Sequence, residues 1–277
     1  IKEAINFVLS REEKIHIEPL DWVNATYSPT PTIIEAAQVL YKGHNVAEIS
    51  RNDASAINLA KTSKAINKII EDSKVNREKA ICFITGVPGA GKTLAGLNIA
   101  NERHNFYENE HAVFLSGNQP LVHVLQEALA RDESERKGIS KSESLAKTKA
   151  FIQIIHHFRD DAISTDAATI EKVVIFDEAQ RAWTKEQLNK FMAQKKGKPN
   201  FNMSEPEFLI RVMDRHTDWA VIVCLIGGGQ EINTGEAGLT EWFTALKEHF
   251  SHWKVYLSNN ISDSEFIRDA SLSDLIN

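Results

Sequence analysis

A doubly wound α/β fold, with a parallel sheet covered by helices on both faces, is what this sequence predicts. Three observations carry that expectation. Short β-rich apolar runs alternate with helix-compatible stretches from Ile81 onward, the pattern of a sheet buried on both sides. One run, Ala80-Ile81-Cys82-Phe83-Ile84, leads into Gly86-Val87-Pro88-Gly89-Ala90-Gly91-Lys92-Thr93. Those eight residues satisfy G-x-x-x-x-G-K-[ST], the phosphate-binding loop of P-loop NTPases. Another run, Val173-Val174-Ile175-Phe176, ends in Asp177-Glu178, the acidic strand end that such a loop is paired with.

The elements come in a definite order. Residues 1–79 carry turn and helix signals but few strand runs, and they read as a helical layer packed on the main domain, 80–277. Ser28-Pro29-Thr30-Pro31-Thr32 is a stiff turn, and Ile33 to Tyr41 has helical apolar spacing. Thr62 to Ser73 places Ala65, Ile66, Ile69 and Ile70 on one helical face. Strands are expected at Ile81–Thr85, Ala112–Ser116, Val173–Asp177, Trp219–Ile226 and Lys254–Leu257. Helices are expected at Leu94–Arg103, Gln119–Leu129 and Ser144–Phe158. Two more start at Thr184-Lys185-Glu186-Gln187 and Ser204-Glu205-Pro206-Glu207, both capping-box sequences. Arg131–Glu143 and Gln194–Asn202 read as solvated loops.

Composition narrows the class. With 277 residues and 42% hydrophobic content, the chain suffices for one large α/β domain with or without an appendage. It contains no apolar run of about 18 residues, so no membrane span is expected. It begins at Ile1 with no signal-like segment, so a trimmed fragment is expected. Cys82 and Cys224 each lie inside an apolar run and read as core residues of a protein from a reducing cytoplasm. The N-x-[ST] triplets at Asn24, Asn202 and Asn260 then carry no meaning. A net charge of −6 is no global nucleic-acid signature, although a local groove could still hold a strand.

The chemistry sits at the strand ends. Glycines let the loop curl so that successive N–H groups face an anion, and the following helix adds the positive end of its dipole. Lys92 would reach the β- and γ-phosphates of ATP, and the Thr93 hydroxyl would bind Mg²⁺. Asp177 would hold the same Mg²⁺ from the opposite side. Glu178 would orient and polarise the attacking water, which favours hydrolysis over phosphoryl transfer to a second substrate. Cys224-Leu225-Ile226 runs into Gly227-Gly228-Gly229-Gln230. The glycines allow close backbone approach, and the Gln230 amide suits contact with a γ-phosphate or the catalytic water. Trp183 could stack on a base or pack at its helix start. Arg181 could meet phosphate or a nearby acid. The adjacent His156-His157 pair faces two ways on a helix and is poor metal geometry.

Taken jointly, these motifs resemble the helicase domain of the Schlafen group. The resemblance rests on Thr85–Leu97, Leu115-Ser116-Gly117-Asn118-Gln119-Pro120-Leu121, Phe151–Arg159, Asp177-Glu178-Ala179-Gln180-Arg181-Ala182-Trp183 and Gly227–Gly238, and it spans roughly Tyr27 to Leu257. It implies a RecA-like, superfamily-1-like ATPase. Gly86, Pro88, Gly89, Ala90, Gly91, Lys92 and Thr93 fall on the first helicase motif. Asp177, Glu178 and Gln180 fall on the second, with Gln180 at the nucleotide. Gln230 falls on the third, which couples nucleotide state to nucleic acid. Ser116, Gly117 and Asn118 fall on the motif that contacts the backbone of single-stranded DNA or RNA. Alternatively, Asn118 simply caps the next helix. The family's third motif carries Gly-Asp before its Gln, whereas this chain has Gly228-Gly229, which bears on motor coupling more than on hydrolysis. A second RecA-like domain, which supplies an arginine worth roughly 10³–10⁵ in rate, is expected to be absent from this chain and to come from elsewhere.

These features support two functions from different classes. One is the ATP-binding and hydrolysing domain of a helicase or translocase. The other is a nucleotide-gated regulatory module that controls a nuclease or another effector. The strand-contact motif favours the first. The acidity and the missing acid before Gln230 favour the second.

Overall fold

The computed structural model describes residues 32–42, 53–87, 89–104, 110–227 and 238–258, with the side chains of 53–58 outside that description. Pro88, Gly228, Gly229, Gln230, Asn24, Asn260 and the Ser28–Pro31 part of the turn lie outside the described residues. The chain divides into the units Ile1–Thr30 and Pro31–Asn277, and the described residues all belong to the second.

Six strands form one sheet: β1 (Lys79–Gly86), β2 (His111–Ser116), β3 (Ile152–Ile154), β4 (Glu171–Asp177), β5 (Ala220–Gly227) and β6 (Lys254–Leu257), in the order β3-β2-β4-β5-β1-β6. Every pairing is parallel. The helices are α1 (Ile33–Tyr41), α2 (Asp53–Asn76), α3 (Lys92–Arg103), α4 (Gln119–Lys137), α5 (Lys141–Phe151), α6 (Ile155–Ser164), α7 (Lys185–Lys196), α8 (Glu205–Asp214) and α9 (Thr240–His249).

Period-two alternation splits the core into two layers. Phe114, Ile175, Val223 and Leu225 face one side, where α2, α3 and α4 bury Ile66, Ile70, Leu97, Ile99 and Leu125. Leu115, Phe176, Ile222 and Cys224 face the other, under Phe158 of α6, Leu188 and Met192 of α7, Leu209 of α8 and Trp242 of α9. Strands buried on both faces cannot show the hydrophobic-in, polar-out pattern, which is why they read as continuous apolar runs. Cys82 and Cys224 are buried free thiols within this core.

Helix starts obey local chemistry. Thr32 and Glu35 close a full capping box at α1. Thr184 and Ser204 accept the N–H groups of Gln187 and Glu207 at α7 and α8. Against a seam with Val39 and Leu94, a small cluster of Ala36, Leu40, Leu59 and Ala95 joins α1 and α2 to the first turn of α3.

Three sequence expectations are corrected. Arg131–Glu143 is not a loop. Helix α4 runs through it to Lys137, its charges matched as Arg131–Glu135 at 3.0 Å and Lys137–Glu133 at 2.6 Å, and α5 starts at a cap from Ser140 to Glu143 N–H. The segment is largely solvent-exposed, as expected, but its charges pair at the i,i+4 spacing of a helix. Ser144–Phe158 is not one helix. Residues 152–154 leave it to form the edge strand β3, because pairing with Phe114–Ser116 outweighs continued helix. The expected loop at Gln194–Asn202 starts later, since α7 continues to Lys196 and ends at Gly197.

Helix α3 sits unusually close to the sheet at Gly96. A Cβ there would lie 2.7 Å from Leu225 Cδ1, 3.0 Å from Ile175 Cγ2 and 3.1 Å from Phe114 Cε2. Alanine would gain up to about 1 kcal/mol in helix propensity, but overpacking costs about 1–3 kcal/mol. Gly96→Ala is therefore expected to cost about 1 kcal/mol net and to lower the melting temperature by roughly 2–4 °C, measured by differential scanning calorimetry.

Candidate nucleotide site at the carboxyl edge of the sheet

Because all strands run the same way, their carboxyl ends share one edge. Chain connections from β1 and β5, which are neighbours, leave to opposite faces: β1 continues into α3 on one layer, and β5 leads to α9 on the other. That divergence opens the crevice in which open α/β sheets bind ligands.

The phosphate loop spans this crevice. Gly86 ends β1, and Gly89 and Gly91 have φ of 79° and 85°, a left-handed backbone that glycine adopts without strain. Lys92 and Thr93 open α3. Lys92 Nζ donates to the carbonyls of Gly86 at 2.6 Å and Val87 at 3.0 Å, so the lysine closes over its own loop. Burial pulls its ammonium below the ordinary lysine value, opposed by the charges of Glu178 and Asp177.

The acidic turn lies across β5 from the loop. Asp177 is the last residue of β4, and Thr93 Oγ1 donates to its Oδ1 at 3.1 Å. Glu178 has φ 55° and ψ 46°, a left-handed conformation that costs a non-glycine residue about 1–3 kcal/mol. This turn brings two sequence-adjacent carboxylates to one site. Burial, foremost, and then the Glu178 charge raise Asp177 from 3.8 to about 6, against the hydrogen bond from Thr93, the Lys92 charge and the Ser116 hydroxyl.

Gln180, in the short 3₁₀ helix Ala179–Arg181, clasps this turn to its surroundings. Its Nε2 donates to Glu178 Oε2. Its Oε1 accepts the Gly227 N–H at 3.2 Å, and its carbonyl accepts the Gly238 N–H at 3.0 Å. A Cβ on Gly227 would lie 3.0 Å from Glu178 Oε2, so the end of β5 approaches the carboxylate as closely as glycine permits. Trp242 Nε1 donates to the Ala179 carbonyl at 3.0 Å. Nothing in the local sequence around Trp242 marks this role, because its spacing is that of any amphipathic helix.

The third strand end is Ser116, paired in register with Asp177 on one side and Ile154 on the other. Ser116 is buried, and its hydroxyl accepts the Asn118 N–H at 3.2 Å. Asn118 caps α4 by accepting the Leu121 N–H, and Gly117 is exposed. A cavity of about 450 Å³ lies beside these residues, between Asn118, His156, Asp177, Glu178 and Trp183. Trp183 is half-buried against His156 and Phe191, with ring centroids 5.2 and 5.3 Å away, and reads as packing. Arg181 Nε lies 3.8 Å from Glu178 Oε2. Among the described residues, no group of three or more His, Cys, Asp or Glu is placed to hold a metal ion. No described helix is long and apolar enough to cross a membrane.

A parallel sheet with a glycine loop after one inner strand, and a carboxylate from a second strand hydrogen-bonded to that loop's threonine, defines a helicase-like nucleotide-binding domain once its sequence relatives are added. The chain matches the family described as Schlafen group 3, DNA/RNA helicase domain, over residues 79–276. That is well over half its length, and the chain belongs to this family. Among solved structures it is similar to the helicase domain of Hef from Pyrococcus furiosus, at 17% identity and a TM-score of 0.38, over 66% of this chain and 36% of that one. It thus spans about a third of that chain's length. No curated protein matches it.

The raised Asp177 carboxyl sets a pH dependence. The folded state holds this proton more tightly than the unfolded chain, so ionisation lowers stability as pH rises from about 4 to about 6. The interval corresponds to about 3 kcal/mol at most. Asp177→Asn removes the charge and is expected to raise the apo melting temperature by several degrees at pH 8. At pH 4 it should change little, as thermal melts at both pH values will show.

Proposed function

We propose that this domain binds ATP with Mg²⁺ and hydrolyses it, as the first RecA-like half of a superfamily-1-like nucleic-acid helicase or translocase. The 3.1 Å contact between Thr93 and Asp177 carries this reading. It joins a hydroxyl on the first turn of α3 to a buried carboxylate at the end of β4, beside the phosphate loop. Such hard oxygen donors fit Mg²⁺, which takes one or two protein ligands and completes its shell with phosphate oxygens and water. Bound there, the ion would neutralise charge on the β- and γ-phosphates.

The chain's own groups do the rest. Backbone N–H groups at Gly89, Ala90 and Gly91 cradle the phosphates, with Gly86 and Pro88 shaping the curl. Lys92 exchanges the Gly86 and Val87 carbonyls for phosphate oxygens. Glu178 orients the attacking water and accepts its proton. Gln180 and Gln230 contact the nucleotide end of the site and report the γ-phosphate. Ser116, Gly117 and Asn118 contact a single strand through its backbone, which needs only small polar groups and N–H donors. A second RecA-like domain or a partner supplies the arginine, and without it turnover is slow. The two buried thiols suit a reducing cytoplasm. A nucleotide-gated regulatory module is the second reading, favoured by the net charge of −6.

Micromolar, Mg²⁺-dependent ATP binding is expected by titration calorimetry. Lys92→Ala should weaken it at least about 30-fold, about 2 kcal/mol, the worth of a charge-assisted hydrogen bond. Unchanged affinity would remove the phosphate-loop assignment. Glu178→Gln should keep binding while hydrolysis falls about 10²–10⁴-fold in a phosphate-release assay. Single-stranded DNA or RNA should stimulate the intact protein's ATPase. Absence of stimulation together with a nucleotide-dependent protein partner would favour the regulatory module instead.

A further inference from the structure

A buried ion pair links the strand-contact edge to the acidic turn, and nothing in the nucleotide site uses it. Arg159, on the second turn of α6, is 1% exposed, and its Nη1 donates to Glu205 Oε1 at 3.0 Å. Glu205 is 2% exposed and opens α8. Its other oxygen accepts the Trp183 N–H at 3.0 Å, while its own N–H donates to the Trp183 carbonyl at 3.0 Å. The Arg159 guanidinium lies over the Trp183 and Phe191 rings, 4.9 and 4.6 Å from their centroids. Four segments thus converge on one carboxylate and one guanidinium: α6, the residues after the acidic turn, α7 and α8.

Such a pair is a poor source of net stability. Two desolvated charges cost several kilocalories each, and their attraction often only offsets this. Burial alone raises the Glu205 carboxyl above its ordinary value, against Arg159 and the Trp183 N–H. Arg159 Nε has no hydrogen-bond partner, although Asp160 Oδ1 is 3.6 Å away. What the pair does supply is direction. The planar guanidinium and the two-oxygen acceptor allow one arrangement of the Trp183 backbone, five residues after Glu178. Helix α6 begins at Ile155, directly after Ile154, the register partner of Ser116. Its first turn places His156 against Trp183 and beside Asn118 in the same cavity.

We infer that Arg159 and Glu205 are positioning residues that hold the 178–183 turn to the strand-contact edge, so that single-stranded nucleic acid lying on Ser116–Asn118 and His156 is transmitted to Glu178. This rests on the helicase reading of the site. The pair touches neither nucleotide nor nucleic acid. It gives the turn and the start of α6 one shared rigid support, so a displacement of one is carried to the other.

The test uses the intact protein with the double substitution Arg159→Met/Glu205→Gln, which removes both buried charges together and leaves an amide oxygen for the Trp183 N–H. The probes are ATP with Mg²⁺, and oligothymidylate or oligouridylate. Affinities for nucleotide and oligonucleotide should change less than about 3-fold, as should basal hydrolysis, while stimulation by the oligonucleotide falls at least about 10-fold. Wild-type stimulation retained by the variant overturns the inference and leaves the helicase reading standing. No stimulation of the wild type overturns the helicase reading, and this inference with it. If the double variant does not fold, Arg159→Lys keeps the charge but not the planar stack. Loss of stimulation with both affinities intact then supports the inference, and full stimulation overturns it.

Discussion

Thr93 and Asp177 meet at 3.1 Å although Thr93 follows β1 and Asp177 ends β4, two strands separated by β5 and distant in sequence. The parallel run of six strands makes this possible, since it brings Gly86, Ser116, Asp177 and Gly227 to one edge. An antiparallel strand anywhere among the inner four would send one of these residues to the far side. The close seat of Gly96 on Leu225 and Ile175 sets how deeply α3 sits, and therefore where its first turn holds Thr93. The site depends on this packing as much as on its own hydrogen bonds.

The site's polar groups satisfy one another at a cost. Lys92 directs its donors to two loop carbonyls, and Thr93 donates to Asp177. The two carboxylates crowd one turn, and burial raises Asp177 to about 6. Glu178 adds a left-handed backbone. Clustered backbone strain and crowded charge of this kind are concentrated at functional sites.

The acidic turn is tied to its surroundings at several points. Gln180 bonds to Glu178, Gly227 and Gly238, Trp242 bonds to Ala179, and Glu205 bonds to Trp183. The ties through Gln180 reach both ends of the 228–237 segment, and those through Glu205 reach α6 and α8. Glu178 is thus tied on one side to the end of β5 and, through Trp183 and Glu205, on the other to α6 and α8.

Local chemistry was enough for the sequence to determine the phosphate loop, the acidic strand end, five of the strands and the caps at Thr184 and Ser204. Glycine spacing, apolar runs and capping residues act over a few positions and leave their mark there. The sequence misread Arg131–Glu143 as a loop because charged helices and solvated loops share a composition, and only the i,i+4 register and the Ser140 cap distinguish them. It merged α5, β3 and α6 because three edge-strand residues acquire strand geometry only from a partner. Tertiary structure alone decided which residues meet: Gln180 with Gly227, Trp242 with Ala179, Arg159 with Glu205 across 46 positions. These contacts arise from strand order and from the face each helix takes, and those are properties of the whole sheet that no short stretch of chain encodes.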